Sequence, residues 1–275
     1  MGTPLQDRRW SALGRSVLAA GLLGLGACAT PPEPAQRYAA IVASPDRSAA
    51  DRINDERRKP VEMLAFIGVR PGITALDVSA GRGYTTELLA RAIGPTGRVY
   101  GQRPPAAAAN ARPPAQPEGM AAPRAAAAAT TTMPTLAQRA ASFGNIVAIT
   151  RPFEDPAPPE AANAGLDLVT LMFNYHDLGH LGVDRNAMNR SIFRALKPGG
   201  LYVIADHSGR PGTGISESGT LHRVEEAFVV REVEAAGFRL LARGDFLRNP
   251  EDPRDRNTPE PPMPKDEFVL KFVKP

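Results

Sequence analysis

From residue 73 onward, short apolar runs alternate with segments of helical period, and this alternation constrains the fold more than any other feature of the chain. Residues 73–78, 98–101, 146–150, 166–173 and 201–205 read as buried strands, and residues 84–93, 136–142, 186–196 and 224–236 read as helices. Repeated strand–helix–strand units predict a mostly parallel sheet with helices on both faces. Residues 238–246 and 268–273 are two further strands with no helix between them, so one antiparallel strand is expected near the sheet edge. Glycine and proline punctuate the pattern: Gly94-Pro95-Thr96-Gly97 and Lys197-Pro198-Gly199-Gly200 each stop a helix.

The N-terminal part reads differently. Arg8, Arg9 and Arg15 precede an apolar stretch, residues 16–27, that is the right length for a signal peptide and too short to span a bilayer. It ends in Leu25-Gly26-Ala27-Cys28, which resembles a bacterial lipobox, and Cys28 is the only cysteine of the chain. A lone cysteine makes no internal disulfide, so lipidation of Cys28 is the expected use. A plain signal peptide, or a buried N-terminal helix, is the competing reading. The expected organisation is a lipoprotein signal peptide over residues 1–27, a tether over 28–44 and a folded domain over 45–275. Ala29 after the cysteine implies sorting to the periplasmic face of the outer membrane, so the cell envelope is the expected location. Ser44-Pro45-Asp46 reads as a helix start, with charged helices over 45–57 and 60–67. Residues 103–134 are almost wholly Ala, Pro, Arg and Thr, lack the large apolar groups a core needs, and read as a surface insertion.

The net charge is +4, with arginines scattered along the chain rather than gathered with aromatics. Nucleic acid is therefore not an expected partner, and membrane contact is expected only through Cys28.

Ligands of open parallel sheets sit beyond the carboxyl ends of the strands, so the residues following each strand are the candidate site. After the first strand comes Asp77-Val78-Ser79-Ala80-Gly81-Arg82-Gly83-Tyr84. Gly81 and Gly83 allow a ligand close to the backbone, and the helix opening at Tyr84 favours an anion at its N-terminus. A dinucleotide fingerprint would need glycine at position 86, where the chain has Thr86. The loop fits the Asp-x-Gly-x-Gly-x-Gly pattern of class I S-adenosylmethionine (SAM) methyltransferases better, with Ser79 in place of its first glycine. After the second strand stands Gln102, where an acid would hold a ribose. Glu154 and Asp155 follow the third strand, either of which could reach an adenine amino group. Asn174, His176 and Asp177 follow the fourth strand, and Asp206 and His207 the fifth. His176 is a candidate general base with a pKa near neutrality, or a structural cap of the next helix. Residues 209–219 are glycine-rich and read as a lid, and His222 follows them.

LDVSAGRGYTTELLARAIGPTGRVYGQ, NYHDL, NRSIFRALKPGGLYVIADHSGRPGTG, TLHRVEEAFVVREVEAAGF, LRNPEDP and DEFVLKFVKP together resemble a group of bacterial methyltransferase-like proteins, often exported, of the class I SAM-dependent superfamily. The likeness covers residues 45–275 apart from the insertion. It implies a Rossmann-like α/β fold with a mostly parallel seven-stranded sheet. It also implies SAM as cofactor, held by Asp77, Ser79, Gly81 and Gly83 with Tyr84, Gln102, Glu154 and Asn174. A small-molecule acceptor is expected beside His176, Asp177 and His207. Two other functions stay open: a methyltransferase-fold lipoprotein that binds a ligand without catalysis, and a metal-assisted enzyme using His176, His207 and His222.

Overall fold

The computed structural model describes residues 1–2, 34–105, 133–257 and 263–275, and the fold lies in the compact unit Glu33–Pro275. The signal segment, Cys28 and most of the 103–134 insertion lie outside the described residues. Among the described residues no helix is long and apolar enough to cross a membrane.

Three helices precede the sheet: α1 (Pro34–Val42), α2 (Ala49–Arg58) and α3 (Pro60–Ile67). Helix α1 occupies the second half of the expected tether. Its Tyr38 is buried and donates its hydroxyl to the Val69 carbonyl at 2.8 Å, so this stretch packs as part of the domain. Helix α2 starts later than expected, because Ser48 rather than Ser44 caps it by accepting from the Asp51 N–H. Ser44 is turned instead toward the Asp46 carboxylate, at 2.5 Å.

The strands are β1 (Thr74–Val78), β2 (Arg98–Arg103), β3 (Ile146–Thr150), β4 (Leu166–Met172), β5 (Leu196–His207), β6 (Arg239–Gly244) and β7 (Glu267–Val273). They form one sheet in the order β3-β2-β1-β4-β5-β7-β6. The first five run parallel, and β7 runs antiparallel between β5 and β6. The chain order reverses between β1 and β4, which places a switch point, and so a crevice, at their carboxyl ends.

Alternate residues of each strand feed two cores. Tyr202 and Ile204 of β5 face one side, with Met188 and Ile192 of α7 (Arg185–Ala195) and Val229 and Val233 of α8 (Glu226–Ala235). Val203 and Ala205 face the other, with Leu64, Ile67 and the α4 (Tyr84–Ile93) residues Leu88 and Leu89. The Lys197–Gly200 run ends α7 as expected. It is also the first part of β5, entered through an irregularity in the pairing with β4 between Leu166 and Leu168.

Helix α5 (Leu136–Ser142) supplies a buried cation that ties the loop region together. Arg139 donates to both Asp51 oxygens at 2.9 Å, to Glu87, and through Nε to the Arg82 carbonyl at 2.8 Å. One guanidinium thus joins α2, α4 and the β1–α4 loop.

Candidate functional site

The β1–α4 loop turns through left-handed conformations at Ser79 (φ 57°), Gly81 (φ 56°) and Gly83 (φ 87°). For serine this conformation costs about 1–2 kcal/mol. It is offset by bonds on both sides: Ser79 N–H donates to Gln102 Oε1 at 2.8 Å, and Ser79 Oγ donates to Asn174 Oδ1 at 2.5 Å. Serine here does the conformational work of the glycine it replaces and adds a link to the end of β4. The two glycines differ. A Cβ on Gly83 would lie 2.9 Å from Arg139 Cδ and 3.0 Å from Leu136 Cδ1, so packing requires glycine there. A Cβ on Gly81 would meet only the Ser79 carbonyl at 3.9 Å, so the space above it is open to a ligand.

Asp77 shapes this loop from beneath. Its oxygens accept from Thr86 Oγ1 at 2.6 Å and Thr170 Oγ1 at 2.8 Å, which ties β1 to α4 and β4. Burial pushes its carboxyl up to about 6, against the pull of these two hydroxyls.

Three expected ligand residues are occupied otherwise. Gln102 is fully buried, because β2 runs on to Arg103. Its amide accepts from Ser79 N–H and donates to the Arg151 carbonyl at 2.6 Å, so it clips the loop rather than offering itself to a ribose. Tyr84 faces the N-terminal helices, with its hydroxyl donating to Asp55 Oδ1 at 2.7 Å and its ring under Arg47 and Arg58. Glu154 accepts from the Asp184 N–H at 3.3 Å, at the start of α7.

The chemistry gathers beyond β4 and β5. Asn174 donates to Asp177 Oδ2 at 2.9 Å, so a bonded path runs from Ser79 through Asn174 to Asp177, the first residue of the short helix α6 (Asp177–His180). Asp177 Oδ1 lies 3.1 Å from His176 Nε2 and 3.1 Å from His222 Nδ1. His176 Nδ1 lies 2.6 Å from Asp206 Oδ1, and a carboxylate only accepts, so Nδ1 carries the proton. His207 Nδ1 lies 3.0 Å from Glu267 Oε1. The four imidazoles stand in file: His207 to His176 at 5.2 Å, His176 to His222 at 5.6 Å and His222 to His180 at 5.7 Å between ring centres. Among the described residues their possible metal-ligand atoms form two groups, His176/Asp206/His207 and His176/Asp177/His222, rather than the single set of His176, His207 and His222 that the metal alternative would use.

His176 is not a base poised near neutrality. Burial opposes its charge, but the Asp206 and Asp177 carboxylates outweigh it and raise His176 to about 10. His222, with 31 % of its side chain exposed, and the exposed His180 form the end of the file that reaches solvent. Glu267 is buried at the start of β7. Burial opposes its charge too, yet His207 and the Arg57 and Arg58 guanidiniums hold it below the usual carboxylate range.

Residues 209–219 are packed over this cluster rather than standing open as a lid. Ser218 Oγ accepts from the His180 N–H at 2.9 Å and donates to the His176 carbonyl, and the ends of the segment meet at the Ser208–Val224 bridge. Ser79, Phe173 (φ 58°) and His222 (φ 52°) are three non-glycine residues held left-handed around the site, a concentration of strain typical of functional positions. Beside Phe173 lies a small apolar cavity lined by Met63, Leu64, Tyr84, Leu88 and Met172.

Glu267 and the coupling of His180 to His222 were not read from the sequence. The available signals were an acid opening an apolar strand and a histidine one helical turn after His176.

No protein-family model matches the sequence, and no curated protein resembles it. Solved structures do match its fold. A SAM-dependent methyltransferase from Aquifex aeolicus is 16% identical, covers 89% of this chain and 100% of its own, and superposes with a TM-score of 0.51. A chain of the complex between the Haloferax volcanii Trm112 methyltransferase activator and a methyltransferase is 16% identical, covers 87% of this chain and 98% of its own, with a TM-score of 0.52. The [4+2]-cyclase SpnF is 17% identical, covers 82% of this chain and 81% of its own, with a TM-score of 0.50. A cyclase among these neighbours means that the likeness fixes architecture and leaves the chemistry to the residues of the site. The chain has the Rossmann-like fold of the class I SAM-dependent methyltransferases.

Proposed function

We propose that the chain is a SAM-dependent methyltransferase that acts on an oxygen of a small-molecule acceptor, and that a lipid on Cys28 anchors it at the cell envelope. The observation that carries this reading is the bonded path Ser79–Asn174–Asp177–His222, which couples a ligand-approachable glycine loop to an acid–imidazole pair. The backbone of residues 79–83 fits the cofactor, because the face above Gly81 is open. When bound, the cofactor supplies an already activated methyl group, so the protein has mainly to align the acceptor and remove its proton.

The chain's own residues divide that work. Asp177 accepts from His222 Nδ1 and so leaves His222 Nε2 as the site that takes the acceptor's proton. His176, charged and shut off from solvent, holds Asp177 and Asp206 in place. Phe173 and the packed segment 209–219 keep water from the reacting atoms.

A second reading is a ligand-binding lipoprotein that does not use SAM. It is favoured by Gln102, whose amide is spent inside the protein where a ribose acceptor would stand.

Calorimetric titration of SAM into the folded chain separates the two. Micromolar binding that weakens at least about tenfold in Gly81→Ala supports the methyltransferase. A folded protein that takes up no SAM at millimolar concentration leaves the second reading. The anchor is tested apart, by incorporation of labelled palmitate into the wild type and into Cys28→Ser.

A further inference from the structure

We infer that His176, Asp177 and His222 form a binding site for one divalent transition-metal ion of the zinc class. One possible donor atom from each of the three residues lies within 4.8 Å of those of the other two, and Asp177 Oδ1 stands 3.1 Å from both His176 Nε2 and His222 Nδ1.

The first support is His176. Its side chain is fully buried and its Nε2 makes no hydrogen bond. Nδ1 is engaged by Asp206, so Nε2 is the nitrogen that faces the cluster, and an arriving ion would displace the proton that Nε2 carries in the metal-free chain. A carboxylate on the far nitrogen is the usual outer partner of a metal-bound imidazole: it fixes the tautomer and raises the ligand's basicity. Asp206 is itself fixed, since its oxygens also accept from the His176 and His207 backbone N–H groups at 2.7 and 2.8 Å.

The second support is spacing. His176 Nε2 and Asp177 Oδ1 approach to 3.1 Å without lining up for a hydrogen bond, and His222 Nδ1 stands 3.1 Å from the same oxygen. Donor atoms around a tetrahedral zinc ion, with bonds of about 2.0–2.1 Å, lie about 3.3–3.4 Å apart. The two pairs that share Asp177 Oδ1 therefore already stand within a few tenths of an ångström of ligand spacing. Asp177 Oδ2 is taken by Asn174, so the carboxylate is aimed before any ion arrives.

The third support is His222. A histidine at φ 52° is strained, and its conformation brings Nδ1 to Asp177. Its partial exposure gives an ion a way in.

Two imidazoles and one carboxylate select zinc, iron, cobalt, nickel or copper over magnesium and calcium, which take oxygen ligands. Three protein ligands leave one position for water or an acceptor oxygen, the pattern of catalytic rather than structural sites. With the ion in place His222 is a ligand and no longer a base. The ion then favours loss of the proton from a bound acceptor hydroxyl. The metal site stands on these side chains whether or not SAM is the cofactor.

The test uses the full, untagged chain with Cys28→Ser, stripped by chelator and titrated with zinc by calorimetry and with cobalt by visible absorption. The expected result is one equivalent bound and a cobalt spectrum of four- or five-coordinate form. His222→Ala is expected to weaken binding by roughly a hundredfold, and Asp206→Asn by about 10–100-fold. His180→Ala, outside the ligand set, is expected to leave it unchanged. No stoichiometric uptake by a folded sample, or equal uptake by wild type and His222→Ala, overturns the proposal. SAM titrated into the metal-free and zinc-loaded samples keeps the two readings apart: SAM binding without zinc uptake overturns the metal site alone, and zinc uptake without SAM binding overturns the methyltransferase alone.

Discussion

His176 Nδ1 lies 2.6 Å from Asp206 Oδ1, and neither side chain reaches solvent. The same Asp206 carboxylate also accepts the backbone N–H groups of His176 and His207. Three donors therefore converge on one acid. Removing it leaves two buried amides unpaired and a buried imidazolium with Asp177 as its one remaining carboxylate. Asp206→Ala is expected to cost about 3–5 kcal/mol of folding stability at neutral pH. Asp206→Asn keeps one acceptor oxygen and is expected to cost about 1–3 kcal/mol. Urea denaturation of both variants measures the difference.

Arg139 poses the opposite case, a buried cation shared between Asp51 and Glu87. Arg139→Met fills most of the space but leaves two acids facing each other. The expected loss is about 3–5 kcal/mol, with part of it recovered when Asp51→Asn is added. A double-mutant cycle by denaturant unfolding checks the recovery.

Asp77 gives a pH dependence of defined sign. Its carboxyl titrates at about 6 in the folded chain, against an ordinary value of 3.8. Between those values the folded form binds more protons than the unfolded form, so this group's contribution to stability falls as pH rises from about 4 to about 6. The drop is on the order of 3 kcal/mol, and the cost persists at neutral pH. Asp77→Asn is expected to remove the slope. Denaturation midpoints across this range, compared between the two proteins, show whether it does.

Gly179 lies under the packed segment 209–219. A Cβ there would stand 2.5 Å from Ile215 Cγ1 and 2.7 Å from Ser218 Oγ. Gly179→Ala is expected to cost about 1–3 kcal/mol by overpacking. Hydrogen exchange is expected to accelerate across residues 209–219 and remain unchanged in β1 and β4.

The parts legible in the sequence were those fixed by neighbours in the chain. Helices over 84–93 and 136–142 and the strand over 146–150 match to the residue, because glycine or proline, or a capping threonine, marks an end. The loop from Asp77 to Tyr84 was placed at the ligand edge for the same reason. What was hidden depends on strand order. The state of His176 is set by Asp206, which reaches it only because β4 and β5 lie side by side. Gln102 read as a cofactor ligand because β2 was ended at Gly101, whereas pairing with β3 carries it on to Arg103. Tyr84 stands in the loop pattern of a cofactor site, and nothing local reveals Asp55 waiting on α2. Proline at residues 31, 32 and 34 makes the helix at Pro34–Val42 look like open chain in the sequence, while Tyr38 shows its worth only against the Val69 carbonyl.

Strand β7 sits between β5 and β6, and Glu267 at its start meets His207 and Arg57. A growing polypeptide therefore makes β6 before the strand that joins it to the sheet, and makes the imidazoles before the acid that receives His207. Until residues 267–273 have left the ribosome, β6 has no neighbour in the sheet and the N-terminal helices lack the Arg57–Glu267 clasp. Local helices and the first parallel pairings are free to form earlier in synthesis, but the site closes only once β7 has emerged. A chain cut before Glu267 would carry an unfinished sheet, and be a natural target for proteolysis.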